Sequence, residues 1–394
     1  MKCIAHLTAL VSVLLIGCET ADAPTAPPDV ERQAGVFALT GFELTSLSVG
    51  QFHTCGATRD GQAFCWGLNH LGQLGIGGTG GEVDVPLPVV GGLTFTSVDA
   101  GYSHTCGVTK GGQAFCWGNN ANGRLGNGSI ADSDDPVPVS GGLQFNSVSA
   151  GDLHTCGMTK GGQAFCWGDN LVGQLGNPPL SNSNVPVPVV GGLTFTSVSA
   201  GDFHTCGVTK GGQAFCWGFN PFGQLGNGST SEVSHVPVPV SSALIFTSVS
   251  AAEVHTCGVT KGGQAFCWGS NAGGQLGNGS PEGSSVPVPV SGGLTFTSVD
   301  VGRLTSCGVT KGGQAYCWGH NFFGQLGNGS TTNSNVPVQV TGGFTFTFVN
   351  TAAHSCGLTK ALGTWCWGYN LHGQLGNGRA PVNTNGPSPV VTSE

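Results

Sequence analysis

A cysteine, nine residues, a second cysteine and then Trp-Gly: this pattern occurs seven times along the 394-residue chain. The pairs are Cys55 with Cys65, Cys106 with Cys116, Cys156 with Cys166, Cys206 with Cys216, Cys257 with Cys267, Cys307 with Cys317 and Cys356 with Cys366. Each copy starts 49 to 51 residues after the previous one. Between them the text changes little, reading CGVTKGGQAFCWG in three copies and one residue away from it in two more. Self-similarity at a fixed period of this size implies a repeat architecture.

The unit from Thr194 to Val240 shows what one copy can form. TFTSVSAG and HTCGVT are rich in β-branched and aromatic residues and are separated by a short turn. Lys-Gly-Gly is a tight-turn signal between HTCGVT and QAFCWG, which predicts a hairpin. A Gly- and Asn-rich loop then leads to VPVPV. Proline cannot donate to a ladder, so this last strand belongs at a sheet edge. The reading is all-β: a seven-bladed β-propeller of four-stranded antiparallel blades. Alternation places Phe215 and Trp217 on one side of their strand and Ala214 and Cys216 on the other, so large residues of one blade meet small residues of the next. Both Val36-Phe37-Ala38-Leu39 and Pro387-Ser388-Pro389-Val390-Val391 resemble the edge strand. The expectation is that the C-terminal one completes the seventh blade.

The two cysteines of a copy flank the hairpin turn, where opposed strands suit a disulfide. The alternative is a metal site formed by the copy's histidine and its two cysteines. Seven identical pairs in an exported chain favour the disulfide framework.

Export is read from the N-terminus. Met1-Lys2 precedes an apolar run from Ile4 to Gly17 that is too short to span a bilayer and fits a signal peptide. Leu15-Ile16-Gly17-Cys18 resembles the lipobox of bacterial lipoproteins, which implies lipidation at Cys18. The expected organisation is therefore a signal at 1–17, a Pro- and Ala-rich tether at 18–35 and one propeller at 36–394. Charged residues make up 8% of the chain and the net charge is −8, so nothing points to nucleic acid. The turn lysines Lys110, Lys160, Lys210, Lys261, Lys311 and Lys360 would form a dilute ring on one face, read as solvating the turns.

The unit resembles the repeat of the regulator-of-chromosome-condensation family. The resemblance rests on Ala200-Gly201, His204-Thr205, Trp217-Gly218, Asn220 and Gly223-Gln224-Leu225-Gly226 and their equivalents. It implies a seven-bladed propeller. The founding member is a nuclear exchange factor that binds chromatin, an activity that is not carried over here. The uniform spacing leaves no room for an inserted wedge. Secreted bacterial members are the nearer analogy. Copies also depart from the pattern: Ala252 replaces a glycine, Thr305 replaces the histidine, and copy seven reads Thr351-Ala352-Ala353-His354.

Alternating strand direction sorts the connections onto two faces. The Ala-Gly-x-x-His connection and the Trp-Gly-x-Asn loop share one, the Lys-Gly-Gly turn and the Gly-Gly-Leu link the other. The turn face repeats, whereas the loop face varies from copy to copy. Its candidate binding residues are Phe52, Tyr102, Phe203, Phe219, Phe222, His320, Phe322, Phe323, Tyr369 and His372, because clustered exposed aromatics mark binding surfaces. The recurring histidines, such as His204, are read as structural, hydrogen-bonding a neighbouring loop. Asn-Gly-Ser at Asn127, Asn227, Asn278 and Asn328 is read as a turn signal.

No cofactor, metal or catalytic residue is expected, since no nucleophile triad, His-Glu-x-x-His or phosphate loop is present. The leading expectation is a monomeric, envelope-anchored or secreted module binding an unknown protein or envelope polymer, touching membrane only through its lipid. A lyase-like enzyme using Glu253, Arg303, His320 and His372 at the channel mouth is the first alternative. A purely structural envelope lipoprotein is the second.

Overall fold

Each sequence repeat becomes one four-stranded antiparallel sheet with its strands in sequential order. The computed structural model describes residues 42–230 and 233–392. The signal, the tether with Cys18, and the strand expected at Val36 to Leu39 lie outside the described residues. Blade 1 comprises β1 (Leu44–Val49), β2 (His53–Thr58), β3 (Ala63–Leu68) and β4 (Glu82–Pro88), from the axis outward. The other blades span 95–138, 145–188, 195–239, 246–289, 296–339 and 346–389. The outermost strand of the last blade is Thr384–Pro389, so the C-terminal strand completes blade 7 as expected.

Every blade is made from contiguous chain, and packing closes the ring. Thr54 of blade 1 lies 2.6 Å from His354 Nε2 of blade 7. Trp66 Nε1 and Thr54 Oγ1 both donate to the Gln374 carbonyl at 2.9 Å.

The core lies between blades. On one side of each seam sit small residues and the cysteine pair, and on the other the next blade's Phe and Trp. Cys206, Val208, Ala214 and Cys216 of blade 4 pack on Phe246 and Trp268 of blade 5. Phe215 and Trp217 face blade 3 instead, as strand alternation dictates. All seven Trp of the Trp-Gly motif are fully buried. Each contributes about 2–3 kcal/mol from its buried apolar area. Two glycines show how close the approach is. A Cβ on Gly226, which has a φ of +68°, would stand 2.6 Å from Trp268 Nε1. One on Gly207 would stand 2.7 Å from the Phe195 ring, which lies across that glycine.

The cysteines stand opposite one another in register on the two central strands of each blade, as Cys106 does opposite Cys116. All seven expected pairs are disulfide-bonded. Cys55 is joined to Cys65, Cys106 to Cys116, Cys156 to Cys166 and Cys206 to Cys216. Cys257 is joined to Cys267, Cys307 to Cys317 and Cys356 to Cys366. The paired Cα atoms are 4.0–4.1 Å apart. The metal alternative falls on this geometry, because the thiols are consumed and the histidine points to another blade.

Candidate functional site

The recurring histidines belong to the scaffold under the loop face. Each donates across the seam to the next blade: His53 to Thr105 at 2.8 Å, His104 to Thr155 at 2.7 Å, His204 to Thr256 at 2.8 Å and His255 to Ser306 at 2.9 Å. The receiving hydroxyl spends its own proton on a backbone carbonyl of a Gly-Gln-Leu-Gly loop, as Thr256 does on Gln224 O at 2.9 Å. The hydroxyl oxygen must then accept from the ring, so Nε2 carries the hydrogen, and the buried, unpartnered Nδ1 fits a neutral imidazole. Burial agrees with this. It lowers His53, His154, His204, His255 and His354 to about 3, and His104 in the same direction with help from Arg124. The expected loop partner is thus a strand residue one blade away, which in turn holds the loop. Blade 6 breaks the relay. Thr305 bonds its own His320 carbonyl, and Ser355 takes Thr351 in place of an imidazole.

A channel of about 700 Å³ runs down the axis. Its wall solves a problem of topology. The innermost strand of each blade is a sheet edge with unpaired amides. A side chain from the preceding blade accepts them: Ser149 takes the Ala200 amide at 3.1 Å and Ser199 the Ala251 amide at 3.0 Å. At two places the acceptor is an aspartate. Asp99 bridges Ser48 and the Ala150 amide, and Asp300 bridges Ser250 and the Thr351 amide. Burial raises Asp99 to about 6 and raises Asp300 as well.

At the loop-face mouth the charges are uneven. Burial raises Asp152 to about 6 and Asp202 to about 8, with mutual repulsion adding to the latter. Glu253 and Arg303 form an ion pair beside them. The four groups named for an enzymatic reading do not form one site, since Glu253 and Arg303 pair only with each other and the two histidines have other partners. Glu253 is taken by Arg303, His320 Nδ1 faces Gln325 Nε2 at 3.0 Å, and His372 Nδ1 faces Glu82 at 2.7 Å. Among the described residues no three His, Cys, Asp or Glu side chains are grouped as metal ligands.

The ten aromatic and imidazole candidates all lie on the loop face, but ring contacts divide them into two groups. Phe203, Phe219 and Phe222 form a small cluster on blade 4, with centroids 5.9 and 6.3 Å apart. The other seven form a continuous arc over blades 6, 7, 1 and 2. It runs His320, Phe322, Phe323, Tyr369, Phe52, Tyr102, with centroid spacings from 4.7 to 6.4 Å. His372 is wedged against Phe52 and Tyr369. Phe322 is 70% exposed and the inner members are half-buried. The arc is one patch, exposed at Phe322 and Tyr102 and half-buried between them.

The loops that carry these rings are held rigidly. Asn321 Oδ1 accepts the Leu326 amide at 2.9 Å and its Nδ2 donates to Ser330 O at 3.0 Å, a clasp that recurs from blade to blade. Asn227 accepts the Ser229 amide at 3.1 Å, so Asn-Gly-Ser is a turn as expected. Aliphatic neighbours went unread. Leu171 and Leu371 are 70% and 46% exposed in the loop slot that Phe322 fills in blade 6. Aligning the seven loops on their Asn would have found them.

A family description of the RCC1-like domain matches residues 13–357. The ultraviolet-B receptor UVR8 of Arabidopsis thaliana is 34% identical over 99 residues, covering 24% of this chain and 22% of the receptor. The chain spans less than a quarter of the length of the curated relatives it matches. Human WBSCR16 shares the fold with a TM-score of 0.75 at 23% identity, over 81% of this chain and 87% of that one. Prp20p of Saccharomyces cerevisiae, whose structure was described with its binding to Gsp1p and histones, gives 0.68 at 21% identity over 77% and 79%. Seven blades of one repeated unit, and a family match over most of the length, agree: the chain belongs to the RCC1-like domain family.

Proposed function

We propose that this protein is an exported, envelope-anchored interaction module whose loop face binds a protein or an envelope polymer. The aromatic arc carries the reading. Its rings occupy loop positions that do no repeated structural work. The clasping Asn and the Gln carbonyl recur from blade to blade, while the slots beside them hold His, Phe, Tyr, Asn, Asp or Ser. A partner that must find one orientation on a nearly seven-fold ring needs such differences. Protein binding by Prp20p supports the class of function. Seven disulfides suit an oxidising compartment.

The test is quantitative binding to whatever partner the intact protein retains from envelope extract. Phe322→Ala and Tyr369→Ala are each expected to weaken it by about thirtyfold, as for a central aromatic anchor worth about 2 kcal/mol. Lys210→Ala and Lys261→Ala, on the opposite face, should leave it unchanged. Loss with the lysine variants and retention with the aromatic ones would assign the wrong face. Unfolding by the aromatic variants would make the rings packing elements.

Anchoring is tested separately. Cys18→Ala should abolish acyl labelling and release the domain from the membrane fraction. A variant that still carries acyl label would refute the lipobox reading.

A further inference from the structure

The lysines of this propeller are gathered on one face. The six turn lysines named above all stand exposed on the turn face, and Arg59 takes the same place in blade 1. None of the six lysines is ion-paired among the described residues. Among the described residues only Glu43 and Asp60 oppose them there, whereas Asp152, Asp169, Asp202, Glu253 and Glu282 gather on the loop face or at its edge.

The hairpin does not require the cation. Six blades read Thr-Lys and one reads Thr-Arg, while the residues that follow change. Blade 1 has Asp60-Gly61 and blade 7 has Ala361-Leu362 where the others have Gly-Gly. Leu362 even takes the left-handed backbone, with a φ of 64°, that Gly112 takes at 86°. The turn's geometry has thus been rebuilt twice, and the positive charge kept both times. Around the cations the face is bare. Most blade-to-blade links are Gly-Gly pairs, and Gly91-Gly92, Gly141-Gly142 and Gly191-Gly192 have open space where side chains would stand; the link from blade 4 to blade 5 is Ser241-Ser242.

The chain also enters the propeller here. β1 begins at Leu44, opposite Thr58, and Glu43 shares a cleft with Arg59 and Asp60. The first strand of the described structure therefore starts at the turn face.

We propose that the turn face docks on an anionic phospholipid bilayer, leaving the loop face turned outward. Cations spread around a closed, level ring can meet a plane together, whereas a strand-like polyanion follows only part of the ring. The proposal does not depend on loop-face binding or on lipidation.

The experiment is vesicle sedimentation of the full chain carrying Cys18→Ala. The quantity read is the ratio of partitioning onto phosphatidylglycerol-containing vesicles to that onto pure phosphatidylcholine. Contributions of the apolar N-terminal run cancel in this ratio. Each lysine near an anionic surface contributes about fivefold in partitioning, so a ratio of at least ~10 is expected at low salt, falling as salt rises. Replacing all six lysines by Gln should bring the ratio near one without moving the melting temperature. Replacing them by Arg should keep it, and Phe322→Ala should not change it. A ratio that survives the Gln replacement overturns the proposal. So does tight binding to a soluble polyanion such as a DNA fragment without preference for the charged vesicles.

Discussion

Protein made without its seven disulfides is expected not to reach the folded ring. Each bridge closes a short loop, with a sequence separation of 10. In the chain-entropy treatment a loop of this length is worth about 2–3 kcal/mol. Seven together come to roughly 15–20 kcal/mol, more than the whole stability of a typical domain. The bridges act in packing too. Cys206 and Cys216 lie at no exposure against Phe246 and Trp268 of the next blade. One pair removed as Cys206→Ala with Cys216→Ala should lower the melting temperature by several degrees. Replacing all fourteen should yield aggregated or unfolded chain. Because the sulfurs are inaccessible, reductant alone should act slowly on native protein, at the rate of unfolding. Thermal melts and thiol titration of the three forms decide this. A cysteine-free chain that melts like the oxidised protein would show that packing suffices.

The repeat made the blades legible because the features that define them are local. The hairpin turn, the proline-alternating edge and the cysteine pair all lie within a few residues of one another. What escaped is held across the seam. His53 meets Thr105, 52 residues on, and Thr54 meets His354, 300 residues away. Nothing in the string HTCGVT says that its histidine serves the next blade. The channel belt was hidden for the same reason. Ser149 and Asp99 look like ordinary strand residues until the inner edge is seen to need acceptors. The aromatic candidates were individually legible but not their division. Phe52 and Tyr369 touch only because the ring closes. The bare exposure of the lysine ring needed strand direction and exposure together.

Acid is expected to take the ring apart from within, and the sign follows from the seam. Six histidines are neutral when folded, with five held at about 3 and His104 lowered likewise, against 6.5 in the unfolded chain. Below 6.5 the unfolded state binds more protons at these sites. Their contribution is therefore complete above pH 6.5 and drains away as pH falls toward 3. The aspartates oppose this. Asp99 and Asp152 at about 6, Asp202 at about 8 and the raised Asp300 hold protons more tightly when folded. They add stability as pH falls from their raised values toward 3.8. Near pH 7 the proton that Asp202 holds in the folded state and those the histidines gain on unfolding roughly offset one another, and the curve is nearly flat. Below 6 the histidines outnumber the aspartates, and a net loss of several kcal/mol between pH 7 and pH 5 follows, on the order of 5–10 °C in melting temperature. Scanning calorimetry at steps from pH 7.5 to 4.5 measures it. Protonation would remove no hydrogen-bond acceptor, since Nδ1 has no partner in any of the six. The cost is a charge placed at no exposure beside a disulfide, with no carboxylate bonded to it. His204→Gln with His255→Gln should lower stability at pH 7 yet make the acid slope shallower by two protons. A melting temperature that stays level from pH 7 to 5, or a slope the double variant leaves untouched, would mean that these rings titrate normally and that the seam is open to water.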